Sequence, residues 1–184
     1  MSEFVISSRY ANALMSIGES NNSFNKIVED LNFINNTLID SKELRNLLKN
    51  PVVKSEKKLA ILNDLFSAHI SKDVNDFLKF LVQKGRENFL FDIGKRFLSL
   101  ADIKLNQVKV NVVSAIELSE TQKENIKIKL NEILNKKIIA QFEIDNSIIG
   151  GFKARFTDTV IDASIQHQLE LLKKKLFEES YLNN

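Results

Sequence analysis

The sequence predicts a mostly α protein in two parts: an N-terminal six-helix bundle over residues 1–106 and a small C-terminal α/β domain over residues 107–184. Three observations lead there. Apolar residues recur at spacings of three and four from Phe4 to Leu105, as in amphipathic helices. The period drops to two at Val108-Lys109-Val110-Asn111-Val112, as in a strand with one face buried. Gly150-Gly151 then opens another alternating run, Phe152-Lys153-Ala154-Arg155-Phe156; a glycine pair at a strand entrance marks a bend or a close approach.

The first helix is expected over residues 4–17, where Phe4, Val5, Tyr10, Ala11, Ala13, Leu14 and Ile17 wrap much of its surface and so imply burial on more than one side. Gly18 and the polar run to Ser23 stop it. Phe24, Ile27, Leu31, Ile34 and Leu38 give the second helix. Ser41 caps a short third one with Leu44, Leu47 and Leu48 inward, ended by Asn50-Pro51 because a residue before proline avoids the helical region. Residues 55–68 form the fourth through Leu59, Leu62, Leu65 and Phe66. Ser71 caps the fifth, with Val74, Phe77, Leu78, Leu81 and Val82 inward and Gly85 as its breaker. The sixth, residues 87–105, carries Phe89, Ile93, Phe97, Leu100 and Leu105. Beyond the first strand, Ser119 and Gln122 make a capping-box pattern ahead of a helix with Ile126, Leu130, Ile133 and Leu134. Ile138, Ala140, Phe142 and Ile144 alternate as a second strand; Phe152, Ala154 and Phe156 form the third, and a turn at Thr157-Asp158-Thr159 leads to a short fourth. The last helix repeats Ile165, Leu169, Leu172 and Leu176, a stripe expected to pack on the sheet.

Composition narrows the function. A chain of 184 residues with 43% hydrophobic content has enough apolar side chain for one domain or two small ones. The formal charge of +2 comes from lysines scattered over both halves, which argues against nucleic acid as a partner. Cysteine is absent, which removes disulfides, zinc–thiolate sites and thiol nucleophiles. The opening residues lack a basic and apolar leader pattern, and no run approaches the roughly 20 apolar residues of a membrane span, so membrane association is expected through a partner and not by insertion.

Candidates for chemistry are few. His69 and His167 stand apart from any metal-ligand spacing and read as surface or structural residues. Asp158 and Asp162 fit a hairpin turn and a helix start better than a catalytic pair. Arg86, after Gly85, fits either an anion contact or the negative pole at the end of the fifth helix, Arg9 beside Tyr10 carries the same alternatives, and a buried or half-buried bridge between helices suits both better than catalysis. The Gly150-Gly151 pair lacks the spacing of a dinucleotide or phosphate loop. No nucleophile, general base, metal set or cofactor motif emerges, and no cofactor is expected. A binding module remains: a helical adaptor whose first and fifth helices carry apolar excess and take an amphipathic helix from another chain.

Several segments in order resemble one family. Arg9-Tyr10-Ala11-Asn12-Ala13-Leu14 is similar to an opening R-Y-A-x-A-L; Asn50-Pro51-Val52-Val53 with Lys57 and Leu62 to an N-P stretch followed by lysine; Phe77-Leu78-Lys79-Phe80-Leu81-Val82 with Gly85-Arg86 to an F-L-x-x-L segment and its arginine. Val113-Ser114-Ala115 with Leu118-Ser119, then Ile149-Gly150-Gly151-Phe152, Arg155 and Val160-Ile161-Asp162-Ala163-Ser164-Ile165, complete the series, with Ala163 where glycine is usual. The chain thereby resembles the delta subunit of bacterial F-type ATP synthase, homologous to the oligomycin-sensitivity-conferring protein. The resemblance implies a non-catalytic stator subunit at the cytoplasmic face of the bacterial inner membrane. It implies that the bundle binds the N-terminal helix of an alpha subunit at the crown of the F1 head, and that the α/β domain binds the C-terminal ends of b-type subunits. On that reading the head site lies between the first and fifth helices, with the surface-facing members of Tyr10, Ala13, Leu14, Phe77, Leu78, Leu81 and Val82. The stalk site lies on the last helix, with Leu171, Phe177 and Tyr181 pointing away from its main stripe.

Overall fold

The computed structural model describes residues 2–156 and 159–182, with side chains through Lys175. Among them the protein is mostly helical, with one four-stranded sheet toward the C-terminus. It divides into two compact units, Met1–Lys104 and Leu105–Asn184.

The first unit contains α1 (Glu3–Ser20), α2 (Phe24–Asp40), α3 (Lys42–Lys49), α4 (Ser55–Phe66), α5 (Lys72–Gln83), a single 3-10 turn (Glu87–Phe89) and α6 (Leu90–Lys104). Its core draws from every helix: Ala11 and Leu14, Ile27, Leu31, Ile34 and Leu38, Leu44 and Leu48, Leu62 and Phe66, Phe77 and Leu81, Ile93 and Phe97. Burying each such Leu, Ile or Phe is worth about 1.5–3 kcal/mol, before the entropy of ordering it. Local signals set the ends. Ser41 Oγ accepts the Leu44 N–H at 3.2 Å and starts α3. Gly85, at φ +62°, ends α5: its N–H bonds the Val82 carbonyl and the Arg86 N–H bonds that of Leu81, a Schellman closure.

Several expectations needed correction. Gly18 does not stop α1; it is buried inside the helix, and a Cβ there would lie 3.2 Å from both Ile27 Cδ1 and Phe24 Cα. The glycine permits close packing on α2, and the turn falls instead at Asn22, which takes a left-handed φ of 53°. α1 is buried along one stripe, Ser7, Ala11, Leu14 and Gly18, and not on more than one side; Phe4, Val5 and Ile17 are exposed. Leu65 also faces out. Ser71 occupies the start of α5 without a side-chain cap; its N–H donates instead to the buried Asp30 carboxylate of α2 at 2.7 Å. Arg9 and Arg86 are exposed, not half-buried. A buried bridging cation is Lys58, next to the exposed Lys57 of the N-P stretch. Lys58 Nζ donates to Glu87 Oε1 at 2.7 Å and to the Leu48 carbonyl at 2.8 Å, so one buried ammonium ties α4, the end of α3 and the turn before α6.

The second unit contains β1 (Gln107–Ser114), α7 (Glu120–Leu134), β2 (Lys137–Ile144), β3 (Phe152–Phe156), β4 (Thr159–Asp162) and α8 (Ile165–Leu182). The strand order is β2-β1-β3-β4. β1 and β2 are parallel and joined through α7; β3 runs antiparallel to β1 and to β4. Ser119 and Gln122 close the expected capping box, and Asn135 ends α7 in the left-handed region. Period-two alternation sends Val110, Val112 and Ala154 inward, where Ile126 and Leu130 of α7 cover them. The opposite sheet face carries Lys109, Asn111, Lys153 and Arg155. Gly151 has φ +81°, and a Cβ there would meet the Ala163 carbonyl oxygen at 2.4 Å, so this backbone approach to the start of α8 admits only glycine.

α8 contradicts the expectation that its stripe packs on the sheet. Ile165, Leu169 and Leu172 are exposed, the side chain of Leu176 lies outside the described residues, and no described side chain of α8 joins the core of this unit. Ile126 and Leu130 of α7 already cover the apolar face of the sheet, so α8 adds no described side chain to that core.

Candidate helix-binding surfaces

The α1–α5 seam is built around Tyr10. Its ring meets Phe77 edge-on, with centroids 6.5 Å apart at 66°, and lies tilted against Phe80 at 6.3 Å. Phe77 is buried, so it fixes the Tyr10 ring from below, whereas Phe80 is 44% exposed and borders the surface. One turn before Tyr10 and up to two turns after it, the same stripe of α1 carries Ile6, Ala13 and Ile17, at steps of four, three and four. Ile6 is half-buried; Ala13 and Ile17 are exposed. Ala13 is the smallest member of the stripe.

Of the seven residues that the sequence nominated here, Leu14, Phe77, Leu78, Leu81 and Val82 are core and present no surface. Tyr10 is half-buried and Ala13 exposed, and these two do share the seam. Ile6, Ile17 and Phe80 were missed. Extending the Tyr10–Ala13 stripe by one turn would have found Ile6 and Ile17; Phe80 looked like the interior of an F-L-x-x-L run.

Polar contacts hold the two helices in place. Asp73, in the first turn of α5, accepts the Ser23 hydroxyl at 2.6 Å and the Asn21 amide at 3.2 Å, both from the α1–α2 turn. Those two hydrogen bonds, Ser23 first, lower the Asp73 pKa from the ordinary carboxylate value. At the other end of the seam, Lys84 Nζ stands 5.6 Å over the Phe80 ring.

In the second unit, α8 is rooted on the glycine pair. The Ile165 N–H donates to the Gly150 carbonyl at 2.9 Å, and the space that a Gly150 Cβ would take is held by Ile165 Cδ1. Asp162 accepts the Ser164 N–H at 2.9 Å and pairs with Lys153 at 3.1 Å, while Ser164 Oγ accepts the His167 N–H. The Ser164 hydrogen bond first, and Lys153 after it, hold the Asp162 pKa down at about 2 against its partial burial. Asp162 therefore anchors the start of the last helix, as its position suggested. Asp158 lies outside the described residues. His167 is half-buried beside the cap, and His69 is exposed, its ring edge-on to Phe33 at 5.6 Å. Leu171 is exposed on α8; the side chains of Phe177 and Tyr181 lie outside the described residues. Among the described residues, no helix is long and apolar enough to cross a membrane.

The fold defines a class: a helix-rich protein of two compact units, with apolar side chains exposed on α1, α5 and α8. Comparison with known proteins makes it specific. The family profile described as ATP synthase delta (OSCP) subunit matches residues 6–176. The ATP synthase subunit delta of Pelodictyon phaeoclathratiforme is 35% identical over 176 residues, covering 96% of this chain and 99% of its own. That of Chloroherpeton thalassium is 31% identical over 172 residues, covering 94% of each. A chain in the mitochondrial ATP synthase hexamer of Toxoplasma gondii has a similar fold, with a TM-score of 0.68 at 22% identity over 93% of this chain and 97% of that one. The chain belongs to the ATP synthase delta (OSCP) subunit family. It is a structural, non-catalytic stator subunit of ATP synthase and a peripheral component of that membrane-associated complex.

Proposed function

We propose that the two units divide the stator's work. The helices of residues 1–104 act as a six-helix bundle that holds the F1 head by taking the N-terminal helix of an alpha subunit into the α1–α5 seam. Residues 105–184 hold the C-terminal ends of b-type subunits through α8, at the cytoplasmic face of the bacterial inner membrane. The observation that carries this is the Ile6-Tyr10-Ala13-Ile17 stripe beside the exposed Phe80, an apolar line at helical spacing with a small residue at its centre. The polar ties behind it suit a part that must transmit torque. Asp73 fastens the α1–α2 turn to α5, and Asp30 fastens α2 to the start of α5, so the seam is supported from two sides.

The test uses membranes carrying the complex with a chain truncated after Glu170. ATP-driven proton pumping should be lost while F1 hydrolysis continues and the truncated chain still binds an alpha-subunit N-terminal peptide. Retained pumping, with the truncation confirmed, would remove α8 from the stalk joint. Loss of peptide binding by an otherwise folded truncated chain would contradict the division of labour.

A further inference from the structure

The sheet of the second unit ends on a long open edge. In the order β2-β1-β3-β4, β2 pairs among the described residues with β1 alone, over 8 residues in one unbroken register. The Lys137 N–H donates to the Asn106 carbonyl and the Asp145 N–H to that of Ser114, so the odd positions of β2 direct their backbone groups at β1. The backbone groups of Ile138, Ala140, Phe142 and Ile144 therefore point out from the sheet. Proteins blunt such an edge with charge, proline or a bulge. Between Ile138 and Phe142 this edge has none of them. A helix, whose backbone groups bond internally, cannot satisfy that row; a strand can.

The edge is complementary to itself. Lys137 and Glu143 stand near its two ends, both exposed, on the sheet face away from α7. Laid antiparallel on a second copy about a twofold axis at Ala140, β2 sets Lys137 against Glu143 at both ends, Ile138 against Phe142, and Ala140 against Ala140. The parity agrees. The Ile138–Phe142 and Ala140–Ala140 pairs are those whose backbone groups face out, so each exchanges both N–H···O bonds. Lys137–Glu143 falls in the alternate class, where Cα atoms are about 4.5 Å apart and side chains are closest. Ile138, Ala140 and Phe142 lie on the face that α7 covers, so the apolar layer continues from one copy into the other. Parallel pairing in register would instead set Lys137 beside Lys137 and Glu143 beside Glu143.

We propose that the free chain pairs with a second copy of itself along β2, antiparallel, joining the two sheets into one. The backbone bonds supply the adhesion, and the two Lys137–Glu143 pairs fix the register. One pair of strands makes a small interface, so the dimer is reversible and rises with concentration. Self-pairing of this edge requires neither the head nor the stalk assignment.

Sedimentation equilibrium of the full chain, from about 1 μM to about 300 μM, measures the dimer. Ala140→Pro removes an outward N–H and leaves every bond to β1, so it should weaken dimerisation about tenfold or more. Lys137→Glu and Glu143→Lys each set like charges opposite one another, and each should weaken it about three- to tenfold at low salt. An equimolar mixture of those two variants should recover the dimer, because each chain offers the charge that the other lacks. The double exchange Lys137→Glu/Glu143→Lys should recover it too. The chain has no cysteine, so Ala140→Cys introduces a lone thiol that should link the dimer on mild oxidation, whereas Val160→Cys on β4 should not. Unchanged circular dichroism checks that each variant folds. A chain that stays monomeric throughout the range would overturn the pairing and leave the edge to a strand of another protein. A dimer untouched by Ala140→Pro and by both single charge variants would place the contact on another surface and overturn it equally. Mixed charge variants that fail to recover a dimer each has lost would overturn the antiparallel register and the proposal with it.

Discussion

Replacing Lys58 by Met should be among the most damaging single changes in the first unit. Lys58 and Glu87 have side chains only 5% and 8% exposed, and they meet at 2.7 Å. Lys58 also holds the Leu48 carbonyl, while Glu87 Oε2 has no hydrogen-bond partner among the described residues. The methionine fills the same channel, so packing changes little. What changes is that the Glu87 carboxylate stays buried without its counter-charge, at a cost of about 3–5 kcal/mol. Glu87→Gln is milder: Lys58 keeps the Leu48 bond and a neutral acceptor, so about 1–3 kcal/mol is lost. In Lys58→Met/Glu87→Leu both charges are gone and the site becomes apolar, so the double variant should be more stable than Lys58→Met alone. Urea unfolding followed by circular dichroism measures this. With a slope of about 1–3 kcal/mol per molar, a loss of about 3–5 kcal/mol from the single Lys58→Met change should lower the midpoint of the N-terminal unit by about 1–5 M. A loss under about 1 kcal/mol, or a double variant no more stable than Lys58→Met, would refute the view that an uncompensated buried charge dominates this site.

Ala13→Glu should leave unfolding within about 0.5 kcal/mol of the parent, since Ala13 is exposed, yet abolish binding of an alpha-subunit N-terminal peptide in a titration; unchanged affinity would move the head site away from the α1–α5 seam. Gly94→Ala should cost about 1–3 kcal/mol in thermal unfolding, because the new methyl falls 2.4 Å from Asn35 Oδ1, and Asn35→Ala in the same chain should recover part of that loss. Asp162→Asn should destabilise the second unit by about 1 kcal/mol at neutral pH. Because the folded Asp162 pKa is depressed to about 2, its contribution is fully present above the ordinary value of 3.8 and fades as pH falls through about 2, so the gap between variant and parent melting curves should close across that acid window.

Residue spacing alone was enough for the elements and their order. A period near 3.6 or of 2 arises from backbone geometry, which any segment obeys before it meets a neighbour, so α1 to α8 and β1 to β4 were legible within a few residues. The Ser119–Gln122 box and the break at Gly85 are equally local, each closing its bonds within a few positions. The candidate surfaces were legible only in part. An apolar stripe says that a face avoids water, but what covers it depends on elements far away in the chain. Tyr10 and Ala13 reach the surface while Leu14, Phe77, Leu78, Leu81 and Val82 are core, and spacing alone could not separate the two groups because each depends on which distant helices cover it. Ile165, Leu169 and Leu172 looked like core and are open, because α7 had already filled the apolar face of the sheet. Lys58 was invisible for the same reason: Glu87 lies 29 residues away, and only the packing of α4 against the turn before α6 brings the two charges together and removes the water that would otherwise screen them.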